Sequence, residues 1–425
     1  MPFKKILQRS SISVLYTLHH NMLLSNLALL ALGCSPLASA ASSSNSNNEV
    51  QSYNAIDFTN VGFAGTYTPV KALKNVDSSD CTCEVGEATW FSGHNAPLNE
   101  ALSVHFRGPL VLHQFAYYTT GVYITNQNWS SGVWDRRAYY DASSQTAENI
   151  TFLTNAGDNS TCLGKALAYA DTDGVTKADK TSVLKADNKI TSDQEFAIFS
   201  NVSCPSSGYN KACGVYRDGI PAYHGFDGET KMFLFEFEMP TETQENSTSF
   251  EFYDMPAIWL LNAHIPRTSQ YPSNANCSCW ASGCGEFDIF EVMNGTEKNH
   301  LYSTFHTFQG IEDLGTGIQS YGYIPRNTSG TMKGGLVYFA NGEMSVFVSD
   351  DTTFDSSIGG STMNKILAGI SNDEVYSTEL AEISATAPSS SSSKSNGFSL
   401  FESANGSLWY YAFTFFTSVA HVFLF

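Results

Sequence analysis

Read for the spacing of its apolar and polar positions, the chain is a succession of strands. The stretches "LSVHFRGPLVLHQFAYYTT", "EFAIFSNV", "KMFLFEFEM", "SFEFYDMPAIWLLNA", "GEFDIFEV", "HLYSTFHTF" and "GLVYFANGEMSVFVS" are rich in Phe, Tyr, Val and Ile. Many alternate with period two, and Gly, Asn, Asp and Pro turns separate them. Asn341-Gly342 between two apolar runs predicts a tight hairpin. Helical periodicity is scarce, and "TMNKILAGI" at 362–370 is the one short helix it predicts. Many short strands in a chain of this length predict an all-β fold: a jelly-roll sandwich of two antiparallel sheets, concanavalin-like in class. No internal repeat is found.

One predicted strand breaks the pattern. "SGCGEFDIFEVMNG" places Glu286, Asp288 and Glu291 among Phe287, Ile289 and Phe290. On a regular strand Glu286 and Asp288 share a face, ~6.6 Å apart, and Glu291 points to the other. A one-residue β-bulge at Ile289-Phe290 would bring Glu291 back beside the other acids. Their carboxyls could then approach to about 5–5.5 Å, the separation used by retaining glycosidases. In that chemistry Glu286 is the nucleophile, Glu291 the acid/base, and Asp288 an assisting acid that hydrogen-bonds the nucleophile. It calls for Glu286 ionised and Glu291 kept protonated by neighbouring negative charge and partial burial. The bland alternative is a solvated strand face.

The ends of the chain carry processing signals. Lys4, Lys5 and Arg9 precede an apolar run closing on Ala38-Ser39-Ala40, which predicts a signal peptide cleaved after Ala40 rather than a membrane anchor. The apolar tail from Leu408, preceded by a polar spacer and by Ser395-Asn396-Gly397, predicts replacement by a GPI lipid, with a plain tail anchor as the alternative. Sequons at Asn128, Asn149, Asn159, Asn201, Asn246, Asn276, Asn294, Asn327 and Asn405 fit a secreted, glycosylated surface. Of nine cysteines, Cys34 leaves with the leader and the remaining even set predicts disulfides. The short loop Cys204–Cys213 is the favoured pair. A zinc site at Cys277, Cys279 and Cys284 is the weaker reading, because an oxidising compartment removes free thiols.

The net charge of −19 argues against nucleic acid and anionic lipid as ligands, whose phosphates would be repelled. A neutral polysaccharide meets no such repulsion. Nucleotide-binding glycine loops and the hydrolase serine elbow are absent. "DTDGVTKADKTS" at 171–182 lacks the Gly and Glu of a calcium loop and reads as a turn. The expected chemistry uses no metal and no cofactor. Trp280 could stack on a sugar or pack on nearby disulfides. Trp129 and Trp134 could form a distal subsite or enter the core. Tyr223 and His224 could line a cleft or make a turn, and His306 by itself reads as a hydrogen-bonded core histidine.

The order "MPAIWLLN", a Cys/Trp loop, "GEFDIFEV" and "STFHTF" resembles glycoside hydrolase family 16. That resemblance implies Glu286 as nucleophile, Asp288 as assisting acid and Glu291 as acid/base, with Trp259 and His306 at substrate positions; Trp280 joins them as a substrate-binding candidate from its place six residues before Glu286. More of the chain, from about residue 80 to 355, is similar to fungal GPI-anchored cell-wall proteins of the Tos type. The stretches that carry this likeness are "LNEALSVHFRGPLVLHQFAYYT", "WDRRAYYDASSQTAENITFL", "IPAYHGFDG", "MPAIWLLNAHIPRTSQY" and "CSCWASGCGEFDIFEV". That family is described as probable circularly permuted β-1,3-glucanases, which implies a permuted sandwich. The expected layout is a signal peptide at 1–40, a low-complexity segment at 41–55, and an N-terminal β region at 56–125 forming part of the permuted sandwich. A catalytic β-sandwich at 126–380, a Ser-rich stalk at 381–396 and a GPI propeptide at 397–425 follow. The expected product is a secreted monomer at the cell membrane or wall, touching the membrane only through its GPI lipid and acting on β-1,3-glucan or a related wall polysaccharide. A glucan transglycosylase and a non-catalytic glucan-binding mannoprotein are the alternatives.

Overall fold

The computed structural model describes residues 50–121, 132–246 and 250–381, so the leader, the tail and Trp129 lie outside the described residues. The alternating stretches form strands. In chain order the principal ones are β1 (Ala55–Thr59), β2 (Leu102–Arg107), β3 (Leu110–Thr119), β4 (Val133–Asp141), β5 (Ile150–Thr154), β6 (Glu195–Ser200) and β7 (Lys231–Glu238). There follow β8 (Ala257–Asn262), β9 (Glu286–Glu291), β10 (His300–His306), β11 (Met332–Tyr338), β12 (Met344–Val348) and β13 (Val375–Glu379). The helices used below are α1 (His264–Thr268) and α2 (Gly360–Ala368). The predicted helix at 362–370 is α2, begun two residues earlier. Asn341-Gly342 turns β11 into β12, with Gly342 at φ 78°, a conformation glycine adopts without strain.

Two 10-stranded sheets result, each filled out by short marginal strands. The first runs β4-β3-β7-β11-β12-β1-β13, antiparallel except where β1 and β13 pair in parallel. The second runs β5-β6-β2-β8-β9-β10 and is antiparallel throughout. Their facing sides share one core. Phe58, Phe115, Phe235, Phe237 and Leu336 come from the first sheet, and Phe106, Ile258, Leu260, Phe287, Ile289, Phe290 and Phe305 from the second. This is the jelly-roll sandwich expected from the alternation.

The outer face of the first sheet is sealed. Tyr118, Trp134, Met232, Leu234, Val337 and Phe347 pack there with Met363 and Ile366 of α2. Of the two readings of Trp134, a distal subsite or the core, the structure gives the core: it is fully buried on this face, because β4 turns alternate residues beneath α2.

The outer face of the second sheet is only partly covered. Phe63, Tyr67 and Phe91 pack on Trp259 and Leu261 of β8, together with Cys279 and Cys284. The favoured bridge Cys204–Cys213 is present, together with Cys81–Cys162, Cys83–Cys277 and Cys279–Cys284. The thiols weighed as zinc ligands are consumed in these bonds. The 171–182 segment is a turn in which Asp173 accepts from the Val175 and Thr176 backbone N–H groups at 2.9 and 2.8 Å. No helix among the described residues is long and apolar enough to cross a membrane.

Candidate active site

The acid strand is bulged where its side chains require it. Against β8, Phe290 faces Ile258 and Asp288 faces Trp259, so Ile289 has no partner of its own. Against β10, Asp288 faces Thr304 and Glu291 faces Tyr302, again with one extra residue on β9. Phe287, Ile289, Phe290 and Val292 therefore all enter the sandwich core. Burying Ile289 and Phe290 contributes about 1.5–3 kcal/mol each. Unit charges ~6 Å apart repel by about 3 kcal/mol at an effective dielectric near 20. The two are comparable, so the repulsion must be offset by the Arg107 and His306 partners; the bulge turns Glu291 to the side of Glu286 and Asp288.

The three acids line a cavity of about 380 Å3 with Trp259, Trp280, His306, Arg107, Tyr271 and Met293 among its walls. The six residues expected at the site are thus brought together. Two glycines aim the strand: Gly283 (φ 86°) and Gly285 (φ 110°) close the Cys279–Cys284 loop and lead directly into Glu286. The same loop holds Trp280, whose indole Nε1–H donates to Glu286 Oε2 and whose ring packs on the cluster that includes Cys279 and Cys284, 6.2 Å from the His306 ring. Trp280 thus packs on the local disulfide, as one reading had it, and also lines the cavity.

Asp288 does not bond Glu286, as the sequence reading had it. Its Oδ2 pairs with His306 Nε2 at 2.9 Å, and His306 Nδ1 bonds the Leu314 carbonyl. His306 is the buried, hydrogen-bonded histidine expected from its strand, and it also faces the cleft. Burial lowers its proton affinity, but the hydrogen bond and charge of Asp288, then Glu286, more than offset this and push it up to about 10. Burial raises Asp288 well above the carboxylate range, helped by the charge of Glu291, while the bond to His306 pulls it back. Glu286 is raised by burial and partly returned by His306 and by the Trp280 hydrogen bond.

Glu291 has a partner that sequence reasoning missed. Arg107 Nη2 donates to Glu291 Oε1 at 2.9 Å, and its Nε donates to the Met255 carbonyl at 2.9 Å. The guanidinium lies 4.7 Å from the Phe252 ring and 5.9 Å from Trp259. The acid expected to stand protonated among negative neighbours is in fact ion-paired. An arginine within the wholly buried run "LSVHFR" was the available signal, since a buried cation needs an anion. Glu195 and Tyr271, joined by a 2.8 Å hydrogen bond, complete this side and had no signal of their own.

Tyr223 and His224 lie elsewhere. Tyr223 bonds Tyr169 at 2.9 Å, and His224 sits 3.4 Å from Cys213 Sγ and lines a separate cavity. A larger cavity of about 800 Å3, lined by Tyr169, Tyr216 and Arg217, contains none of the cleft acids.

Comparison with known proteins agrees with this architecture. Residues 132–366 match the family described as cell wall protein YJL171C/Tos1, C-terminal, and residues 54–120 match its N-terminal counterpart. A Saccharomyces cerevisiae protein named probable circularly permuted 1,3-beta-glucanase YJL171C is 61% identical, covering 88% of this chain and 94% of that protein. Its Candida albicans counterpart PGA52, named likewise, is 53% identical over 86% of this chain and 93% of its own length. The S. cerevisiae protein of the same description, TOS1, is 31% identical over 74% and 90%. No solved structure matches the chain. The chain belongs to the YJL171C/Tos1 family of cell wall proteins.

Proposed function

We propose that this protein is a retaining endo-β-1,3-glucanase of the cell wall. The observation that carries the reading is the bulge of β9, which puts two glutamates and an aspartate on one wall of a cleft flanked by Trp259 and Trp280. The names of its relatives support the substrate class, and the acidic chain suits a neutral polymer.

In this mechanism a Glu286 carboxylate oxygen attacks the anomeric carbon. The bond to the leaving sugar oxygen breaks, and that oxygen takes the proton of Glu291. Glu291, now a base, removes a proton from water, whose oxygen attacks the anomeric carbon and releases Glu286. A sugar hydroxyl arriving in place of water gives transglycosylation. Trp280 orients Glu286 by its N–H, and the Asp288–His306 pair fixes the charge beside it. The chemistry needs only side chains. Secretion, glycosylation and a GPI lipid remain part of the proposal, their segments lying outside the described residues apart from the sequons within them.

The test is release of reducing ends from laminarin by the mature protein and by Glu286→Gln. Turnover by the first and its loss in the second support the reading; no turnover by the unmodified protein on any β-glucan overturns it in favour of a glucan binder. With an activated glycoside, azide rescue of Glu286→Gly should give the α-glycosyl azide and rescue of Glu291→Gly the β-product. The opposite pairing would reverse the two roles.

A further inference from the structure

Four residues stand in one row across four adjacent strands. Glu195 on β6 faces Arg107 on β2, Arg107 faces Ala257 on β8, and Ala257 faces Glu291 on β9. Strands lie ~4.8 Å apart, so Arg107 must cross two spacings, ~9.6 Å, to reach Glu291. Ala257 leaves the way open because its side chain ends at Cβ. On the other side Glu195 sits directly opposite the same arginine, and it also accepts the Tyr271 hydroxyl at 2.8 Å. One buried guanidinium is thus ion-paired with a cleft acid and also feels the charge of Glu195.

We propose that Arg107 is a positioning residue that sets the protonation of Glu291, and that Glu195 opposes it by drawing on the same guanidinium. The catalytic consequence rests on reading Glu291 as the acid/base. Arginine stays charged at every working pH. Its Nη2, 2.9 Å from Glu291 Oε1, therefore favours the carboxylate that the second step needs. The first step needs Glu291 protonated, so the same contact opposes it. The charged and titratable groups around Glu291 are Glu286 and Asp288 on its own strand, His306 and Tyr302 on β10, and Arg107 backed by Glu195 and Tyr271. Removing the cation raises the pH at which Glu291 gives up its proton. Removing Glu195 takes away a negative neighbour and a rival for Arg107, so it lowers that pH. A residue that only held the fold together would not produce opposite signs.

The experiment is a 13C-carboxyl titration of the mature glycoprotein, with the Glu291 signal assigned by its loss in Glu291→Gln. In Arg107→Gln, Glu291 should titrate roughly one to three pH units higher. In Glu195→Gln it should titrate lower, and in Arg107→Lys it should fall between wild type and Arg107→Gln. The basic limb of kcat/KM on laminarin should move in the same directions. Shifts in the titration without any cutting of laminarin would sink the glucanase reading while the charge coupling stands. An unmoved Glu291 in both Arg107→Gln and Glu195→Gln overturns the proposal. If Arg107→Gln does not fold, Glu195→Gln decides by itself.

Discussion

The outer faces of the two sheets are built from the same kind of alternating strand and are put to opposite uses. On the first sheet, Tyr118, Trp134, Met232 and Phe347 are closed over by Met363 and Ile366 of α2. On the second, the apolar patch around Trp259 and Leu261 stops short of β9, and the acids of that strand meet Arg107, His306 and Trp280 in an open cleft. A sandwich needs only one face of each sheet for its core, so the remaining face can be sealed for stability or left to hold charge. The difference teaches where a substitution should be felt as lost folding and where as lost chemistry.

The largest expected effect is on the open face. Glu286→Gln should lower kcat on laminarin by roughly 10^3-fold or more while leaving the melting temperature near that of the parent. A fall in kcat matched by an equal loss of folded protein would erase the contrast. Next is the Cys279→Ser/Cys284→Ser double variant. Its loop has a sequence separation of only 5, so little chain entropy is at stake and stability should change modestly. Trp280 would lose its hold on Glu286, and turnover should drop by roughly 10- to 100-fold. Unchanged turnover would show that the loop does not aim the acid.

The sealed face should answer in the other currency. Met363→Ala removes a fully buried side chain and should cost about 2–5 kcal/mol, read as a lower urea midpoint, with kcat per folded molecule unchanged. The smallest effect concerns pH. His306 binds its proton more tightly folded, at about 10, than unfolded, so the native state holds more protons and stability falls as pH rises. Its contribution is fully present below about 6.5 and is lost as the pH approaches 10. The urea midpoint should therefore fall between pH 6 and 10 in the parent and fall less in His306→Asn. Equal slopes would remove the ion pair with Asp288 from the account.

Much of this was legible along the chain. Period-two alternation located the strands, Asn341-Gly342 located a hairpin, and the spacing of Asp288 and Glu291 called for a bulge if the three acids were to act together. These are local matters, settled by the pleat and by the aversion of Ile and Phe to water. The five-residue α1 was not legible, being too short to show a period.

What the sequence determined by itself is the two-sided character of each strand, and with it a β-sandwich one of whose strands carries three acids. Only the tertiary structure decided which side chains answer those acids. Arg107 stands 184 positions before Glu291 and meets it because β2, β8 and β9 lie in register. Partners such as these are chosen by strand order, which depends on how whole layers pack. No pattern within a single stretch of chain encodes it.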